Sequence, residues 1–146
     1  MPRPLGRGNR RVLLDSSAYL AVLDRDDQHH DEAVRVLRAL AREQTLQFTT
    51  NVILIEAHAL VLSRLGIQHG QAFLRDMERS ATTVVRARAA DEVRARHIIY
   101  QYDDKAFSMT DAISFAVMER LHITRAFTFD RHFAQYGFTV LTPDLL

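Results

Sequence analysis

Arg11-Val-Leu-Leu-Asp-Ser-Ser-Ala-Tyr19 is the stretch that decides the fold. Its apolar run is short, stops abruptly at a carboxylate, and gives way at once to a helical pattern that Ser16 or Ser17 can cap. A strand that feeds directly into a helix is the opening half of a parallel crossover unit. The same succession recurs along the chain. Leu46–Thr49 reads as a strand, followed by Asn51 as the cap of a helix that runs to Leu65 and is ended by Gly66. Thr82–Arg86 is β-rich and precedes a helix over Ala89–Tyr102. Ala126–Phe129 precedes a short helix over Arg131–Tyr136 stopped by Gly137, and Thr139–Leu141 supplies a last strand. Helical spacing also covers Asp31–Glu43, Gln68–Arg79 and Thr110–Leu121, while Asp24–His30 and Asp103–Lys105 are polar loops. Short strands alternating with helices imply right-handed crossovers. The expected fold is therefore α/β, a three-layer α/β/α sandwich around a central parallel sheet.

With 146 residues, 47% hydrophobic and 25% charged, residues 11–146 are expected to form a single globular domain. No apolar run approaches the roughly 20 residues that span a bilayer, so no membrane association is expected. The chain has no cysteine. That excludes disulfides, thiolate zinc sites and cysteine nucleophiles, and makes a cytoplasmic setting the default. Net charge is +1, but 18 of the 19 basic residues are arginine, the side chain best able to grip phosphate with two hydrogen bonds. Arg3, Arg7, Arg10 and Arg11 are interleaved with proline and glycine. Residues 1–10 are accordingly expected to be a basic, disordered tail.

Acidic residues interrupt this apolar chain at the edges of its elements: Asp15 in VLLDSSAYL, Glu56 in NVILIEAHAL, Asp111 in SMTDAISFAV and Asp130 in AFTFDRHF. A carboxylate amid aliphatic surface is costly to desolvate unless positive charge offsets it. In an open parallel sheet, functional groups gather beyond the carboxyl ends of the strands where strand order reverses. Asp15 and Asp130 end strands there, Asp111 opens a helix, and Glu56 lies just over one turn into another. Carboxylates brought together repel one another, and an oxygen-only cluster selects a hard cation, Mg²⁺ or Mn²⁺. Thr128 and Ser16, hydroxyls adjacent to the acids, could position water or a phosphate oxygen. Each acid taken singly also fits a structural role. Asp111 completes a Ser-x-x-Asp capping box with Ser108, Asp130 can cap its helix, and Asp15 can accept backbone hydrogen bonds.

In this order, the segments resemble the PIN-domain ribonucleases. The likeness rests on a strand ending in Asp-Ser, a helical Glu about forty residues on, Ser-x-Thr-Asp-Ala opening a late helix, and Thr-x-Asp-x-x-Phe. It runs from about Arg11 to Leu141, and the single-domain length resembles the VapC-type toxin branch. The resemblance implies a Mg²⁺- or Mn²⁺-dependent endoribonuclease that cuts RNA with activated water. It makes Asp15 and Asp111 the principal metal ligands, with Glu56 completing the cluster, Asp130 supporting a metal or its water, and Thr128 the hydroxyl before the last acid. It further implies a homodimer and a cognate antitoxin that inhibits the nuclease.

Other constellations carry less. His29-His30-Asp31 reads as a solvated loop, His58 faces away from Glu56, and Phe127, Phe129, Phe133, Tyr136 and Phe138 read as core. Arg120, Arg125 and Arg131 could line the cleft and hold RNA phosphates, or form a solvated face. Receiver-like and haloacid-dehalogenase-like phosphoryl transfer lack their lysine and their Asp-x-Asp. A housekeeping ribonuclease, or a non-catalytic module that keeps the acidic cleft, would share the same acids.

Overall fold

Val12, Leu13 and Leu14 are all buried, so the first strand has no solvent face. Leu13 packs with Ile98, Phe115 and Phe133 on one side of the sheet. Val12 and Leu14 pack with Ala33, Val36 and Leu40 on the other. A continuous apolar strand covered on both faces is the signature of a parallel sheet between helical layers.

The computed structural model describes residues 10–145. Five parallel strands, β1 (Arg11–Leu14), β2 (Leu46–Thr50), β3 (Thr83–Val85), β4 (Arg125–Phe127) and β5 (Thr139–Val140), lie in the order β3-β2-β1-β4-β5. The helices are α1 (Ser16–Leu23), α2 (His30–Arg42), α3 (Asn51–Leu65), α4 (Ile67–Arg79), α5 (Ala89–Gln101), α6 (Met109–Leu121) and α7 (His132–Tyr136). α1 and α2 cover one face; α5, α6 and α7 cover the other. α3 and α4 pack on α1 through Leu20, Ala57, Val61 and Phe73. The expected three-layer α/β/α sandwich is the observed architecture. Of the basic stretch expected at residues 1–10, all but Arg10 lies outside the described residues.

Several local expectations are corrected. Asp15 does not end β1. It occupies the N-cap position of α1 without a side-chain capping bond, so Ser16 and Ser17 fall inside the helix. Thr50 caps α3, its hydroxyl accepting from the Ile53 N–H, while Asn51 Oδ1 accepts from the Ala87 N–H. β4 stops at Phe127, because the Phe129 N–H donates to Ser17 Oγ and the Asp130 N–H to Thr128 Oγ1 instead of continuing a ladder. Gly66 and Gly137 end their helices as expected, with φ of +93° and +119°, a region that costs glycine little.

Strand order reverses between β1 and β4, which are paired at Leu13↔Ala126 and Leu14↔Phe127. The next residues on each side are Asp15 and Thr128. The register therefore delivers a carboxylate and a hydroxyl to the crevice where ligands bind in such sheets.

Candidate active site

Asp15 is 4% exposed. Its Oδ2 accepts from Thr128 Oγ1 at 2.9 Å and from Ser17 Oγ at 3.0 Å, and those two hydroxyls contact each other at 3.1 Å. Burial raises the Asp15 carboxyl to about 6 despite these hydrogen bonds, and nearby Asp111 adds to the rise. Asp111 stands at the start of α6 in the expected capping box, its N–H donating to Ser108 Oγ and its Oδ2 accepting from the Ser108 N–H. Burial, with repulsion from Asp130, also raises the Asp111 carboxyl. Both carboxyls are thus desolvated and have a like charge nearby, a cost that a bound cation would relieve.

The structural and functional readings of Asp111 are not alternatives. The capping box holds its carboxylate in place, and the carboxylate still faces the cleft. Its Oδ2 lies 2.9 Å from His132 Nδ1, which is also 3.3 Å from Asp130 Oδ1. Asp130 in turn accepts from the His132 N–H at 2.9 Å. Asp111, Asp130 and His132 each bring one donor atom within 4.8 Å of the others. Two carboxylates and an imidazole at this spacing fit a divalent cation, with Asp15 beside Asp111 as a further oxygen donor.

Glu56 is placed differently. Its Oε1 accepts a short hydrogen bond from Ser16 Oγ, and it does not join the tight group formed by Asp111, Asp130 and His132. Ser16 thereby links Glu56 to the first turn of α1. Of the arginines, Arg131 is exposed beside Asp130. Arg120 is not a cleft residue. Its guanidinium forms two hydrogen bonds with buried Asp91, at 3.0 and 2.9 Å, tying α6 to α5. Arg125 sits at the opposite end of β4 from the acids and is half-buried. Sequence reasoning passed over His132 and Ser17. The signal was present in Asp130-Arg-His132: a histidine two residues past a loop acid lands in the first turn of a helix, where its ring turns back to that acid.

The model of the PIN domain family matches residues 12–139. The chain belongs to the PIN-domain family. It is 31% identical over 135 residues to the 23S rRNA-specific endonuclease VapC20 of Mycobacterium tuberculosis, spanning 91% of this chain and 99% of that protein. It is 25% identical to ribonuclease VapC26 of the same organism over 84% of this chain and 90% of that one. The crystal structure of M. tuberculosis VapC20, described as a sarcin–ricin loop cleaving toxin, superposes with a TM-score of 0.83 at 28% identity, covering 90% of this chain and 99% of the other. FitAcB from Neisseria gonorrhoeae shares the fold at 17% identity, with a TM-score of 0.67. The expected family and enzyme class, a PIN-domain endoribonuclease of the VapC type, are borne out.

Proposed function

We propose that the chain is a Mg²⁺- or Mn²⁺-dependent endoribonuclease, the toxin of a toxin–antitoxin pair, with its active site at Asp15, Asp111, Asp130 and His132. The observation that carries this reading is the meeting of these side chains at the β1/β4 crevice. When bound there, a divalent cation offsets charge on the phosphodiester and acidifies a water. Asp111, Asp130 and His132, with Asp15 beside them, would hold it. Thr128 and Ser17 fix the Asp15 carboxylate, leaving its second oxygen to orient the attacking water. Arg131 is placed to steady a backbone phosphate. Glu56, through Ser16, holds the start of α1 and closes the acidic side of the cleft. Water adds at phosphorus in line with the departing 3′-oxygen, leaving 5′-phosphate and 3′-hydroxyl ends.

The proposal includes an antitoxin and a second copy of the chain as partners. Ile55 and Tyr100, each 70% exposed, are apolar surface available to them. Similarity to VapC20 makes an RNA stem–loop with the sarcin–ricin sequence the first substrate to try. Wild-type protein with Mg²⁺ or Mn²⁺ should cut it, and Asp15→Asn or Asp111→Asn should lower the rate at least a hundredfold, as loss of one preorganised electrostatic group does. Full metal-dependent activity in either variant would overturn the site assignment.

A further inference from the structure

Beside the acids, two aromatic rings lie stacked. The His29 imidazole and the Phe129 ring are 4.4 Å apart between centroids and within 7° of parallel. Phe129 belongs to the site by position, since it falls between Thr128 and Asp130. Its backbone N–H donates to Ser17 Oγ, which in turn donates to Asp15. Phe127, fully buried, meets Phe129 edge-on at 6.0 Å and braces it from the core.

His29 is held just as firmly. Its N–H donates to Asp27 Oδ1 at 2.8 Å, and its carbonyl accepts from the Ala33 N–H at 2.9 Å in the first turn of α2. Next to it, His30 Nδ1 meets the Ala21 carbonyl at 2.8 Å. The loop over residues 24–29 is therefore a built structure that carries His29 onto Phe129, and not the solvated connection its composition suggests. Both residues are half-buried, and neither is closed off from solvent.

We propose that this stacked pair is a nucleobase platform, on which an unpaired base next to the scissile phosphate stacks against the exposed side of the pair. The inference rests on the nuclease reading and adds what the acids leave open, namely how the RNA is held and which RNA conformation fits. Acidic side chains attract a polyanion poorly without their cation, so positioning must come from elsewhere. A base has a π-face whatever its identity, and base–aromatic stacking positions a strand without reading its sequence. Phe129 is followed directly in the chain by Asp130 and Arg131, so a nucleotide held on the pair would lie next to the residues proposed to receive its phosphate. Such a platform accepts a base splayed from a loop or single strand and excludes a base stacked inside a duplex.

The test uses a stem–loop RNA with 2-aminopurine in the loop and its fully paired counterpart, with wild type, His29→Leu and His29→Phe. His29→Leu keeps apolar cover over Phe129 without a π-face, and His29→Phe restores the π-face. Steady-state cleavage should show KM raised about tenfold in His29→Leu, the loss of one base stack, with kcat within twofold of wild type and KM recovered in His29→Phe. Binding in EDTA should quench 2-aminopurine fluorescence with wild type and His29→Phe but not with His29→Leu, and the paired RNA should give no quench. Unchanged KM and quench in His29→Leu, or no quench with wild type, would overturn the platform. The two readouts separate the readings: quench without cleavage leaves the platform standing and fails the nuclease, while cleavage indifferent to His29→Leu does the reverse.

Discussion

At Asp15 the same burial that shapes the site has a thermodynamic signature. Its carboxyl titrates at about 6 in the folded chain against 3.8 for an ordinary aspartate, because desolvation outweighs the Thr128 and Ser17 hydrogen bonds. A raised acid contributes stability that is complete below the unfolded value and is lost as pH climbs through the folded one. In metal-free buffer, Asp15 should therefore cost the folded state about 3 kcal/mol between pH 4 and pH 7. Asn at this position carries no such charge. Urea melts of wild type and Asp15→Asn across that range, in EDTA, should show the variant gaining on wild type as pH rises. A constant difference would mean that Asp15 is not desolvated as described. Asp15 was legible in the sequence because an acid follows an apolar run abruptly there. His132 was not, because a histidine in a short polar turn carries no periodic signal and its meaning depends on α6 delivering Asp111 beside it.

Elements reach the site because polar side chains fix where they begin and how they pair. α5 and α6 are joined across the face of the sheet by Arg120 and Asp91, the acid being 3% exposed and also accepting the Arg88 N–H. Near its far end, α6 contributes Glu119 to Arg94 and Tyr136, a cluster open to solvent. These pairs look alike in a sequence, yet their energetic consequences differ. Arg120→Ala strands a buried carboxylate and should cost about 3 kcal/mol, whereas Arg94→Ala should cost no more than about 0.5 kcal/mol. Chemical denaturation of the two variants at neutral pH makes the comparison, and equal losses would contradict it. Most element boundaries were readable from hydrophobic period and glycine stops. The end of β4 was not, since it is set by Ser17 and Thr128 hydroxyls that capture the backbone N–H groups of Phe129 and Asp130. Arg120 was misjudged for the same reason: its partner lies 29 residues away on another helix.

For the whole molecule, strand order is the deciding fact. β1 turns toward β2 and β3 on one side, while β4 and β5 continue on the other, so two strands end and two helices begin at one crevice. Asp15 and Thr128 follow β1 and β4 there, while α6 and α7 bring Asp111 and His132. No helix among the described residues is long and apolar enough to cross a membrane. Several carboxylates gathered in one crevice without a cation are costly to ionise, visible in the raised Asp15 and Asp111 carboxyls, chiefly through burial and further through repulsion from Asp111 and Asp130 respectively. A cation that binds only the folded chain stabilises it by mass action, about 2.7 kcal/mol at a hundredfold excess over its dissociation constant. Thermal melts in EDTA, Mg²⁺ and Mn²⁺ should therefore show a metal-dependent rise in melting temperature, several degrees for a domain of this size. Asp111→Asn should begin from an equal or higher melting temperature in EDTA, since the repulsion is gone, and should lose most of the metal-dependent rise. Equal shifts in wild type and variant would place the cation elsewhere. No shift in either at millimolar metal would reduce the cluster to a set of helix caps and remove the basis for cleavage at this crevice.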